Sequence, residues 1–360
     1  DAIAAAGGPD AVGTLPSADP MTRLRQSKYL ARPWSAPDVR VALEGADAAV
    51  ADAMIAARLV HDEGAVAMLR RAAEGTTAAH LAGMRATAPG RHEHEVRAAM
   101  EAQLLGRGMR TSYPPIVTTH GHVLHNNEYH HQMKDGDMML ADVGADCDGW
   151  AGDVTRTWPV NGTFSATQRA FYDIVLQAEL DAIAQVQPGK RYRDIHLAAC
   201  RTLTRGLVDE GVLNGDVDNL VERGAHALLF PHGVGHLIGL DVHDMEDLGD
   251  RAGYAPGRTR SEQFGLGYLR LDRDLEAGMC VTIEPGLYVV PAILEHKELC
   301  APFDADKSLN REALARFSDV RGIRIEDDVL CTQAGAEVLT KDIPKTAEAV
   351  EAEVGRDVGN

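Results

Sequence analysis

The sequence predicts an α+β fold, and three observations carry that reading. Ala-rich stretches with helical periodicity lead the chain, short β-rich runs with Gly-rich turns occupy residues 115–160, and the last third is strand-rich after two more helical segments. Strand, helix, helix, strand order packs helices on one face of a mainly antiparallel sheet. The 360 residues are 45% apolar and 25% charged, the composition of an ordinary globular protein. At roughly 150 residues per domain, the length allows two domains or one large unit.

Residues 1–40, rich in Ala, Gly and Pro with basic residues at Arg23, Arg25 and Lys28, read as an irregular N-terminal region. From about Ala48, Ala-rich helical segments run to Ala88, where Pro89-Gly90 stops them. A further helix near His92–Leu105 sets Val96, Met100 and Leu104 at steps of four and ends at Gly106 and Gly108. Met138–Val143 and Thr155–Val160 read as strands. Ser165 with Gln168 three residues on is a capping-box spacing, and it opens a helix whose apolar face is Phe171, Ile174, Val175 and Ala178. Asp194–Glu210 is the next helix, and Met279–Glu284, Leu287–Val290 and Ile323–Leu330 are the closing strands.

The net charge of −18 disfavours nucleic acid and anionic membrane surfaces, both of which reward basic patches. No stretch approaches the ~20 apolar residues of a membrane span, and no secretory pattern opens the sequence. Five widely spaced cysteines without a CxxC pair suit a reducing compartment, so a cytoplasmic location is expected.

The chemistry concentrates in two residue types. Five of the fifteen histidines fall between His120 and His131, and three more, His232, His236 and His243, lie in one Gly-rich segment at offsets of four and seven. Glycines there let other groups approach closely. His61, His80, His92, His94, His196, His226 and His296 read as ordinary surface or satisfied core residues. Carboxylates supply the other concentration: Asp142 ends one predicted strand, Asp153 begins another, Glu284 ends a third, and Glu326 lies in a fourth. Period-two geometry sets Thr282 with Glu284 opposite Val281 and Ile283, and Arg324 with Glu326 opposite Ile323 and Ile325. If the apolar faces pack, the acids point into one enclosed space, where their mutual repulsion demands protons or cations. Two divalent metals would offset four carboxylates, and oxygen-rich ligation with one imidazole favours Mn²⁺, Co²⁺ or Zn²⁺. Paired metals activate water and polarise a carbonyl, which points to hydrolysis. Gly233-Val234-Gly235 lacks the dinucleotide pattern, and neither a P-loop nor a Gly-x-Ser-x-Gly elbow is present.

Asp142, Asp153, His236, Glu284 and Glu326, in this order, resemble the ligands of the pita-bread metallopeptidases, the group of methionine aminopeptidases, aminopeptidases P, prolidases and metal-free creatinases. The resemblance covers roughly residues 55–345 and is nearest to the prolidases in Phe230–Asp244, in Tyr268–Met279 and in the insertion Ser308–Phe317. It implies a curved, mainly antiparallel sheet covered by helices, with residues 51–350 as the catalytic domain and 1–50 as a short N-terminal region; prolidases carry a sizeable N-terminal domain before that point. It implies that Asp142, Asp153, His236, Glu284 and Glu326 bind two divalent ions, expected to be Mn²⁺ with Co²⁺ or Zn²⁺ as alternatives, and that Asp153 and Glu326 bridge them. Glu284 is then also the proton acceptor for a nucleophilic hydroxide held between the metals. His243 stabilises the oxyanion, His125 contacts the substrate near the scissile bond, His232 lines a proline pocket, Arg270 grips the substrate carboxylate, and Arg324 orders the site or binds substrate. The function so implied is hydrolysis of Xaa-Pro dipeptides by a homodimer. The alternatives are an Xaa-Pro aminopeptidase acting on longer peptides and, more remotely, a binding protein on the same scaffold that has lost catalysis.

Overall fold

The computed structural model describes residues 2–15, 17, 19–32 and 43–357, and the part of the N-terminal reading that falls on 33–42 lies outside them. Residues expected to be irregular carry a helix, α1 (Pro20–Leu30). Asp19 caps it by accepting from the Thr22 N–H at 2.7 Å, and Pro20 takes the first helical position, where a missing N–H costs nothing. No residue of α1 is buried, so it has no apolar stripe for a periodicity argument to detect.

The Ala-rich stretch is two helices, α2 (Gly45–Arg58) and α3 (Glu63–Ala86), divided at Asp62, whose carboxylate accepts from the Ala65 N–H at 2.8 Å. α4 (Glu93–Leu105) buries Val96, Met100 and Leu104, the residues its spacing singles out. α5 (Ala166–Ile183) starts at the expected capping box, with Ser165 and Gln168 each accepting from the other's backbone N–H. α6 (Tyr192–Asp209) buries Ile195, His196, Ala199, Cys200 and Leu203 along one face.

The strands are short and every pairing between them is antiparallel. β1 (Arg110–Thr111), β4 (Ala145–Cys147) and β5 (Trp150–Ala151) form one sheet in the order β1-β4-β5. β2 (Ile116–Thr118), β3 (Met138–Asp142) and β6 (Thr155–Pro159) form a second, in which Asp142 stands opposite Thr155. β7 (Cys280–Ile283), β10 (Asp327–Thr332) and β11 (Gly335–Val338) form a third, and β8 (Gly286–Tyr288) pairs with β9 (Gly322–Arg324). The run expected as one strand, Ile323–Leu330, is therefore two strands in different sheets. Its break falls at Ile325–Glu326, where the Glu326 N–H turns to the Thr155 carbonyl at 3.0 Å.

A buried ion network fixes that break from behind. Arg156 and Asp327 are fully buried; Arg156 donates to the Asp327 carboxylate at 2.7 Å and also to the Glu326 carbonyl. Asp327 accepts further from Lys345 at 2.6 Å and from the Thr340 hydroxyl at 2.7 Å, and the Arg156 and Lys345 charges overcome burial to hold its carboxyl well below the usual range. Removing one partner leaves a buried cation without its counter-charge, so Asp327→Ala is expected to lower unfolding stability by about 3–5 kcal/mol, measured by equilibrium denaturant unfolding.

Candidate metal centre

Four strand ends deliver four acids to one place. Asp142 closes β3, Asp153 precedes β6, Glu284 follows β7, and Glu326 occupies the break between β9 and β10. Close backbone contact makes the first pair possible: a Cβ on Gly144 would lie 1.7 Å from the Gly152 carbonyl oxygen, so the loop between the aspartates closes only with glycine there. His236 comes from an irregular segment laid along β7, with the Thr282 N–H donating to the His236 carbonyl and the Glu284 N–H to that of Val234. Gly235, at φ +150°, permits that approach; a Cβ would meet the Thr282 carbonyl at 2.2 Å.

Asp153, His236 and Glu326 bring one donor atom each within 4.8 Å of one another. His236 donates Nδ1–H to its neighbour's carbonyl, Leu237 O, at 2.9 Å, which leaves the Nε2 lone pair facing Asp153 at 3.4 Å and Glu284 at 3.7 Å. Asp142 is joined to the group by Tyr113, whose hydroxyl contacts both Asp142 and Asp153, at 2.7 Å for the latter. Arg324 is the cation inside the cluster: it is paired with Asp142, donates to the Thr155 hydroxyl at 2.8 Å and to the Tyr288 hydroxyl at 3.1 Å, and Thr155 in turn donates to Glu326 at 2.6 Å.

The electrostatics are those of an anionic site short of positive charge. Burial pushes all four carboxyls up: Asp142, Asp153 and Glu326 above their ordinary values, and Glu284 to about 8; Arg324 opposes the rise at all four, and neighbouring acids add to it for Asp142, Glu284 and Glu326. His236 is driven down to about 4 by burial and is a neutral ring at neutral pH. Acid oxygens with one neutral imidazole are the donor set of a hard or borderline divalent cation, and the surplus of buried negative charge asks for one. The residues present therefore fit a divalent metal centre.

The remaining sequence-predicted residues stand around a cleft of about 460 Å³. His232, pushed down to about 3 by burial and Arg324, contacts the Tyr288 hydroxyl at 2.9 Å. His243 stacks edge-on against His236 with ring centres 4.3 Å apart, and its Nδ1 is 2.7 Å from the Glu246 carboxylate. Arg270 stands on the rim and is ion-paired with that same Glu246. His125 is exposed at the mouth, lowered by burial of its ring and by Arg324; His120, His122, His130 and His131 do not line the cleft.

Sequence reasoning missed Tyr113, Tyr288, Thr155 and Glu246. Tyr288 follows Glu284 by four residues on β8 and was open to the same period-two reading, whereas nothing local marks Tyr113 or Glu246 as neighbours of the acids.

Residues 67–333 match Peptidase_M24, metallopeptidase family M24. The Xaa-Pro aminopeptidase of Escherichia coli K12 is 36% identical over 298 residues, 82% of this chain and 59% of its own length. The human Xaa-Pro dipeptidase is 37% identical over 295 residues, 79% of this chain and 58% of its own. Among solved structures, Pseudomonas aeruginosa aminopeptidase PepP superposes with a TM-score of 0.70 at 34% identity, covering 84% of this chain and 61% of that one. An Escherichia coli aminopeptidase P variant in complex with substrate gives 0.71 at 34%, covering 86% and 62%. The chain thus spans about three fifths of the length of these relatives.

Raised carboxyls in the folded chain bind protons that the unfolded chain has already released, so stability falls as pH rises through that window. For metal-free protein, denaturant unfolding is expected to show stability declining from about pH 6.5, above which the lowered histidines no longer oppose the carboxyls, up through about pH 8, the value to which Glu284 is raised. Added divalent ion should reverse most of that decline.

Proposed function

The chain belongs to metallopeptidase family M24 and has its pita-bread fold, and from that premise we propose that it hydrolyses Xaa-Pro dipeptides. In this reading residues 51–350 are the catalytic domain, 1–50 a short N-terminal region, and the enzyme a homodimer. A reducing cytoplasm suits its five cysteines, all of which are unpaired. The observation that carries the proposal is the convergence of four carboxylates and one neutral imidazole at the floor of a cleft whose rim holds His243, Arg270 and His232.

Asp142, Asp153, His236, Glu284 and Glu326 would hold two divalent ions, Mn²⁺ in the simplest case and Co²⁺ or Zn²⁺ otherwise. Bound there, such ions supply an activated water and a polarised carbonyl. An Xaa-Pro bond is a tertiary amide without an N–H, so recognition must rest on ring shape and on groups other than backbone pairing. His232, Phe264 and Ile293 line the cleft and offer that surface. Glu284, ionised once the cations offset its neighbouring acids, accepts a proton from the attacking water and delivers it to the proline nitrogen as the amine leaves. His243 stabilises the developing oxyanion. His236 and burial lower the proton affinity of that ring on balance, and the Glu246 carboxylate at Nδ1 offsets part of that loss. His125 contacts the substrate near the scissile bond, and Arg270 with Arg324 supplies positive charge for the carboxylate of a dipeptide.

One observation favours the second reading, an Xaa-Pro aminopeptidase acting on longer peptides. The Arg270 guanidinium is already paired with Glu246, whose carboxyl is held at about 2, against burial, by the His243 hydrogen bond and the Arg270 charge. A partnered arginine attracts a free carboxylate less than a bare one.

Chelated protein given back Mn²⁺, Co²⁺ or Zn²⁺ is expected to cleave Ala-Pro faster than Ala-Pro-Ala; the reverse order sinks the dipeptidase reading and supports the aminopeptidase. His243→Ala is expected to lower kcat by about 10²–10³-fold, the usual loss for one oxyanion donor. Glu246→Gln, which frees Arg270, should lower KM for Ala-Pro more than for Ala-Pro-Ala.

A further inference from the structure

His196 and His226 read from the sequence as ordinary surface or satisfied core residues; the structure buries both, with only part of their hydrogen-bonding capacity met. α6 carries His196 and Cys200 one helical turn apart, so both side chains leave the same face. That face meets the 3-10 turn Ala225–Leu228, which carries His226. One donor atom from each of the three residues lies within 4.8 Å of the others, and all three are buried, with relative exposures of 1%, 0% and 3%. Their polar bonding is incomplete. His196 Nε2 and Cys200 Sγ are 3.4 Å apart, but His196 Nδ1 and both ring nitrogens of His226 have no hydrogen-bond partner among the described residues. Buried polar atoms are nearly always paired, so three unpaired nitrogens in one cluster call for an explanation.

We propose that His196, Cys200 and His226 form a second metal site, separate from the carboxylate centre, that takes one zinc-class divalent ion. Two imidazoles and a thiolate are donors that a borderline-soft ion prefers and that Mg²⁺ or Mn²⁺ does not. A helical pair four residues apart with a third donor from a distant turn is a geometry that staples a helix to a loop. On binding, the ion replaces the Cys200 thiol proton, which passes to solvent, and sulfur and two ring nitrogens become its ligands.

The site lies directly behind the cleft wall. Phe230 packs between the two histidine clusters, with its ring 5.7 Å from that of His196 and 4.7 Å from that of His232. The Ala225–Leu228 turn leads straight into the segment that carries His232 and His236. An ion here would pin the base of that segment, which makes these three positioning residues. Glu93, His120 and His131 form another three-donor group, but the Glu93 carboxylate already accepts from Thr118, Thr119 and His131, and no buried side-chain atom of the three is without a partner.

Cobalt distinguishes the two centres, because a thiolate gives Co²⁺ an intense near-ultraviolet charge-transfer band and the carboxylate centre contains no cysteine. The full chain titrated with Co²⁺ alone is expected to show that band, and the double variant Asp153→Asn, Glu326→Gln should retain it. Cys200→Ala should abolish it, and His226→Gln should weaken it and lower bound zinc by one equivalent per chain in elemental analysis. Absence of the band in the unaltered chain, its survival in Cys200→Ala, or unchanged zinc content in His226→Gln overturns the proposal. Circular dichroism accompanies each variant; if Cys200→Ala fails to fold, the band and zinc content of His226→Gln decide.

Discussion

Four carboxylates confined with a single internal arginine form the constraint on which the rest of this structure depends. Charges of one sign in a low-dielectric space repel strongly, and Arg324 neutralises only part of the excess. The protein holds such an arrangement because the surrounding backbone leaves the acids nowhere else to go. Each sits at a strand end or in a strand break, where the main chain is hydrogen-bonded on one side and the side chain must project into the space between sheets. Tyr113 and Thr155 supply hydroxyls that tie the acids to one another and to Arg324 without adding charge.

The three consecutive acids at Glu326, Asp327 and Asp328 show how finely the environment divides like residues. Glu326 faces the candidate metal centre and is raised well above its ordinary value by burial and by Asp153 and Glu284. Asp327 turns the other way into the Arg156 and Lys345 charges and is lowered. Asp328 is raised by burial and by Asp153, while it accepts from the Asp153 N–H at 3.1 Å. Strand alternation sends neighbours to opposite faces, and the partner waiting on each face decides the protonation. Asp327 is thereby structural: with Arg156 it anchors the break on which the orientation of Glu326 depends.

This division explains what was legible in the sequence. α4 and α5 declared themselves because each buries a periodic face and carries local start and stop signals. The five residues of the candidate centre were legible because acids at the ends of apolar strands, and histidines among glycines, break the usual rule that charge stays at the surface. α1 was not, because it buries nothing. The break at Ile325–Glu326 was hidden because its cause, the Thr155 carbonyl, lies 171 residues away from Glu326 in the chain, as the side-chain bond between the same two residues records. Tyr113 and Glu246 act only through neighbours that tertiary folding brings to them, and no local pattern encodes such a meeting. His226 belongs with these: its sequence surroundings are those of a core histidine, and only the packed structure shows two unpaired nitrogens beside a thiol.

Chemistry and selection are physically separated in this fold. The acids and His236 stand on or beside the sheets, nearly all of them buried, where a small displacement is resisted by many packed neighbours. His243, Glu246 and Arg270 come from the long, mostly irregular stretch between the His236 segment and β7, and all three side chains keep more than a third of their surface exposed. Rim groups in high dielectric contribute modestly one by one, so in the proposed function exchanging a pairing such as Arg270 with Glu246 would shift preference among substrates while leaving the buried centre untouched. If the chain cleaves Xaa-Pro bonds as proposed, the carboxylate or continuing chain beyond proline would meet this rim and not the acids, so one buried floor could serve peptides of different length.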